Sequence, residues 1–83
     1  MDFIAFKNML NQNNIHLFDA EYRIVYHRLN NMKSYLIHNG GSLNNNFEID
    51  KIHKLNQATL SQLVNSLLTK NIEKTNWIIN NYL

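Results

Sequence analysis

The chain contains no proline, and its only two glycines stand side by side at Gly40-Gly41. Proline removes a backbone donor, and glycine is the residue that most readily leaves the helical region. A sequence this poor in both has little with which to interrupt helices. The expectation is an all-α fold, a compact bundle of four to five helices, with its sharpest turn at the glycine pair. With 83 residues there is room for one domain and one core. Such a chain buries only roughly 60–65% of the surface it exposes when unfolded, so it needs a supplement such as a disulfide, a metal or a second copy. Cysteine is absent, which removes disulfides and thiolate metal sites and fits a reducing, cytoplasmic setting. The apolar run at 3–6 is too short for a signal peptide or a membrane span. Oligomerisation is the supplement left, and a homodimer is expected.

Asp2 is placed to cap a first helix carrying Phe3, Phe6 and Leu10, which the polar "NQNN" at 11–14 closes. Asp19 reads as the N-cap of the longest helix, which runs to about residue 38 with Glu21 in its first turn. Phe18, Tyr22, Val25, Leu29, Met32 and Leu36 recur along it at spacings of 4-3-4-3-4. That is the seam of a helical hairpin or of a two-stranded coil. Tyr26, Tyr35 and Ile37 lie off the stripe, so this helix either sits centrally in the domain or pairs with a second chain. Asn39-Gly40-Gly41 supplies a glycine C-cap, and 42–46 is a loop. A shorter helix is expected over 47–55 with Ile49, Ile52 and Leu55 inward, then a turn at Asn56-Gln57. The next helix spans 58–70, and Asn71 closes it in the left-handed conformation. Thr75 would cap a last turn or two that buries Trp77, Ile78 and Leu83.

Catalytic and metal chemistry find no support in the residues. Of the four histidines, His16, His27, His38 and His53, the pair His27 and His38 are eleven residues apart, about three helical turns. They share a face but are too distant to share one metal, and no HxxxH or HExxH pattern exists. "NGGSL" lacks both the G-x-S-x-G elbow and the phosphate-loop Gly-Lys-Ser/Thr. Glu48 and Asp50 point to different faces of a helix. No cofactor and no enzymatic activity are expected.

The most specific stretch is "QATLSQLVNSLLTKNI", residues 57–72. Leu60, Leu63, Val64, Leu67 and Leu68 form one helical stripe, while Thr59, Ser61, Gln62, Asn65, Ser66 and Thr69 are polar without charge. Solvated helix faces usually carry Lys and Glu, which form helices well and pair at i,i+4. Amides and hydroxyls instead suit a face that reads base edges, since they both donate and accept. A nine-residue helix, a tight turn and an amphipathic helix together make a helix-turn-helix at about 47–70. Gln57, Thr59, Ser61, Gln62 and Asn65 would then face the groove of double-stranded DNA, with Lys51, Lys54 and Lys70 near the phosphates. The charge distribution agrees. Residues 1–50 carry four basic and five acidic side chains, whereas 51–83 carry Lys51, Lys54, Lys70 and Lys74 against Glu73 alone.

"ATLSQLVNSLLTKNI" resembles the recognition helix of MarR-like winged helix-turn-helix regulators. Those read small-Thr-hydrophobe-Ser-x-Leu-Val-x-x-Leu, followed after a few residues by Gly and a hydrophobe. Thr59, Ser61, Leu63, Val64, Leu67 and Ile72 fall at matching positions, with Asn71 in place of the glycine. "NGGSLNNNFEIDKIHKL" is similar to the loop and helix that precede it. The resemblance covers residues 40–72 and implies DNA binding by helix 58–70. The chain departs from the family in a turn one or two residues short between Leu55 and Thr59, and in the absence of arginine after residue 50. Eleven residues follow Ile72, which allows a vestigial wing at most and no C-terminal dimerisation helix, and leaves open whether 73–83 form a helix or a short wing strand. The reading is a small non-enzymatic regulator of phage, plasmid or low-GC bacterial origin. The alternative is a small helical protein-binding inhibitor or adaptor without nucleic-acid contact. In that case the polar face would reflect only the Asn-rich codon usage of an AT-rich genome.

Overall fold

The computed structural model describes all residues, 1–83, and its regular secondary structure is helical throughout, with no strand. Five α-helices, α1 (Phe3–Gln12), α2 (Asp19–Asn30), α3 (Met32–His38), α4 (Gln57–Leu68) and α5 (Ile72–Tyr82), are joined by short turns. The exception is the longer link from α3 to α4, which contains a 3-10 helix, η1 (Ile49–Lys54). α4 and α5 form a hairpin, α2 packs against α4, and α1 packs against α2. All six elements feed one hydrophobic core. No helix is long and apolar enough to cross a membrane.

Local chemistry accounts for most boundaries. The Asp2 carboxylate accepts from the backbone N–H of Ala5 at 2.8 Å, satisfying one of the donors that a helix start leaves without a partner. α1 ends where Asn14 turns left-handed (φ 59°) and the Ile15 N–H reaches back to the Leu10 carbonyl. α3 ends in the same way, with Gly40 at φ 85° and the Gly41 N–H donating to the Leu36 carbonyl at 2.7 Å. This closure satisfies carbonyls that would otherwise be orphaned, and it needs a residue that tolerates positive φ. A Cβ at Gly41 would lie 2.8 Å from Asn76 Oδ1, so the second glycine gives room for α5.

Several boundaries differ from the sequence expectation. The single helix expected up to residue 38 is two helices. Asn31 leaves the helical region (φ −118°, ψ 36°), and both its backbone and side-chain N–H groups donate to the His27 carbonyl. The Asn31 N–H keeps its ladder bond, so the helix is divided by the backbone angles at this one residue. Asp19 is not the N-cap of α2. Phe18 holds that position, and the Glu21 carboxylate accepts from its N–H at 2.9 Å. Asp19 instead faces α1, where the Lys7 ammonium is bonded to it at 3.1 Å. Lys7 holds its carboxyl below the usual carboxylate range, and Arg23 at 3.6 Å adds to the effect. That contribution to stability is present above the unfolded carboxylate range, and it is lost as acid protonates the folded form.

The seam survives the break. Tyr22, Val25 and Leu29 from α2 and Met32 and Leu36 from α3 are all buried within the one chain. They are therefore not available as a contact with a second copy. Phe18 is the exception at 81% exposed, because its extended backbone (φ −70°, ψ 153°) takes it off the helical period. Of the off-stripe residues, Tyr26 is half-buried between Phe3 and Phe6, with its hydroxyl donating to the Met1 carbonyl. Ile37 is exposed.

The C-terminal third holds the largest corrections. Residues 49–54 form a 3-10 helix rather than an α-helix, with Ile49 and Ile52 buried as expected. The left-handed residue after α4 is Lys70 (φ 56°), not Asn71. Asn71 is instead the N-cap of α5, accepting from the Lys74 N–H. Thr75 caps nothing and is fully buried one turn into α5, while Trp77 is 58% exposed rather than buried. Where the resemblance allows a wing there is a helix of eleven residues. The loop before η1 is held by that helix through asparagine side chains. Asn80 accepts from the Asn44 N–H and donates to the Ser42 carbonyl, and Asn76 accepts from the Ser42 N–H. Asn45 donates to the carbonyls of Ile79 and Leu83. These amides therefore satisfy loop backbone groups and the last carbonyls of α5, so their abundance is not codon usage alone.

Candidate nucleic-acid interface

α4 is built from the outside in. Asn56 accepts from the Thr59 N–H at 2.8 Å and starts the helix two residues after η1 ends. Leu60, Leu63, Val64 and Leu67 are buried, and the opposite face shows Ala58, Ser61, Gln62, Asn65 and Thr69 to solvent. This split follows from the 3.6-residue period and from the packing of α4 between α2 and α5. At its far end the helix is closed by a distant residue. The Arg28 guanidinium from α2 donates to the Leu67 carbonyl while lying 5.3 Å above the Tyr35 ring. A cation there complements the negative end of the helix dipole. Arginine therefore does contribute to α4, but from a helix that no local motif links to it.

The structure brings together only some of the residues that the sequence singled out. The side chains of Ser61, Gln62 and Asn65 are neighbours on one exposed face and make no hydrogen bond within the chain. Gln57 does not join them, because its amide donates to the Asn13 carbonyl at 3.0 Å and ties α4 to the end of α1. Thr59 is half-buried in the first turn. Thr69 is exposed, but its hydroxyl donates to the Asn65 carbonyl. Ser66 is a plain correction. It is buried, donates to the Leu63 carbonyl and lies 2.7 Å from the Thr75 hydroxyl, so it belongs to the α4–α5 contact rather than to the polar face.

The lysines frame this face. Lys54 precedes the N-cap by two residues, and Lys70 follows the last turn. Both are exposed, Lys51 on η1 is half-buried, and none of the three pairs with a carboxylate. Lys7 and Arg23, by contrast, are both engaged by Asp19. Free positive charge thus flanks α4 at both ends, about 20 Å apart at 1.5 Å per residue, and Lys33 on α3 and Lys74 on α5 are likewise exposed and unpaired.

The four histidines are all exposed, and no three His, Asp or Glu side chains come together as a ligand set. Along α5 an open groove of about 570 Å³ is lined by Trp77 and by Asn44, Asn71, Lys74 and Asn81. Trp77, expected in the core beside Ile78, is exposed because Thr75, Ile78 and Ile79 take the inward face of α5. No family model, no curated protein and no solved structure matches the chain.

Proposed function

We propose that the protein is a small non-enzymatic regulator that binds double-stranded DNA, with η1, the turn at Leu55-Asn56 and α4 acting as a helix-turn-helix. The observation that carries this reading is the free trio Ser61, Gln62 and Asn65 on a capped helix. Its polar groups donate and accept, and nothing in the chain satisfies them. Lys54 and Lys70, unpaired at either end, are suited to holding phosphates while that face meets the base edges. α5 stands where the MarR-like resemblance implies a wing, so contacts beyond the major groove would come from helix rather than strand. A second reading is a protein-binding adaptor. It is favoured by Trp77 and Tyr82, two large side chains exposed on α5, since such aromatics often anchor protein interfaces.

Salt dependence separates the two readings. Binding to duplex DNA should weaken linearly in a double-logarithmic plot against salt, as phosphate contacts release counterions. Lys54→Ala should weaken all duplexes alike and reduce the slope by about one unit, leaving the melting temperature unchanged. Retention of no duplex at low salt would rule this reading out in favour of the adaptor.

A further inference from the structure

Resting on the DNA-binding reading, we infer that the duplex recognised is A·T at the contacted base pairs, with Gln62 and Asn65 pairing with adenines. The inference comes from which side chains on the exposed face of α4 are free and from what they lack. In the major groove guanine offers two acceptors, N7 and O6, and calls for a group that only donates, arginine or lysine. Adenine offers an acceptor at N7 and a donor at N6, which an amide matches with its own donor and acceptor. Between Gln57 and Thr69 there is no arginine and no lysine.

The amides on that face are not equivalent. Gln57 is tied to the Asn13 carbonyl, which leaves Gln62 and Asn65 uncommitted. They are three residues apart, an axial rise of about 4.5 Å, against 3.4 Å for one base step. That spacing addresses neighbouring base pairs. One turn earlier, Ala58 is exposed near the N-terminal end of the helix, the end that recognition helices present to base edges. Its methyl suits contact with the methyl group of thymine. Ser61 lies between them and pairs with several bases, so it adds contact without choosing.

The test is selection of bound sequences from a pool of random duplexes at low salt, repeated with Gln62→Arg. Gln62 is exposed and makes no hydrogen bond within the chain, so the substitution should leave the fold and its melting temperature unchanged. The native protein should enrich sites with adjacent A·T pairs. Replacing one of those pairs by G·C should weaken binding roughly 5- to 150-fold. Gln62→Arg should move the preference at one position from A·T to G·C. Salt-dependent binding with G·C at those positions, or with no base preference, would overturn the inference and leave the DNA reading standing. If no duplex is retained at low salt, the DNA reading fails and the inference fails with it.

Discussion

Leu29→Asp should abolish the cooperative thermal transition and most of the helical circular dichroism, whereas Phe18→Ser should do neither. Leu29 is 1% exposed at the centre of the seam that runs from α2 into α3, and it belongs to the hydrophobic core cluster. An unpaired buried charge costs several kcal/mol against a total stability of about 5–10 kcal/mol for a domain of this size. Phe18 lies on the same stripe by sequence spacing, yet it sits in water at the N-cap of α2. Serine at that position would face Glu21, which already accepts from the backbone N–H of residue 18. The two would complete a capping box and add about 0.5–1 kcal/mol. If Phe18→Ser is as damaging as Leu29→Asp, the seam runs as the periodicity alone would have it, and α2 starts earlier than described.

Ser66→Ala should destabilise the α4–α5 hairpin by about 1–3 kcal/mol, and adding Thr75→Val should recover most of that loss. The single proton of Ser66 goes to the Leu63 carbonyl, so the Thr75 hydroxyl is the donor between the two side chains. Both residues are buried. Alanine at 66 leaves the Thr75 donor without its acceptor, whereas the double substitution replaces both polar groups with apolar ones of similar shape. Urea melts of the two single variants and the double give the coupling directly. Effects that simply add would mean that the hydroxyl pair does not hold the two helices in register.

What could be read from the sequence was what short-range chemistry decides. Asp2 as a cap, the closure at Gly40-Gly41 and the burial of Tyr22, Val25, Leu29, Met32 and Leu36 all depend on residues within a turn or two of each other. So does the amphipathic split of α4 into Leu60, Leu63, Val64 and Leu67 against Ser61, Gln62 and Asn65. The misses share a different cause. Gln57 is engaged by a carbonyl 44 positions away, Arg28 closes a helix 39 positions away, and Asn80 holds a loop more than 30 positions back. No periodicity encodes these contacts. Ser66 and Thr75 look like surface residues until α5 is laid against α4, and the same placement turns Trp77 outward. The break at Asn31 is local, but it is a change of backbone angle at a single residue that leaves the apolar spacing intact, so the spacing does not reveal it.

Whether α4 is the surface that meets duplex DNA is read from the backbone amide resonances as a short A·T-rich duplex is added at low salt. The amides of Lys54 and of the exposed α4 face, Ala58, Ser61, Gln62 and Asn65, should shift in proportion to bound DNA. The Trp77 indole on α5 should stay in place. Shifts confined to α5 and the Trp77 groove, or no shifts at all, would contradict this role and leave α4 as a core helix whose outer face touches only water.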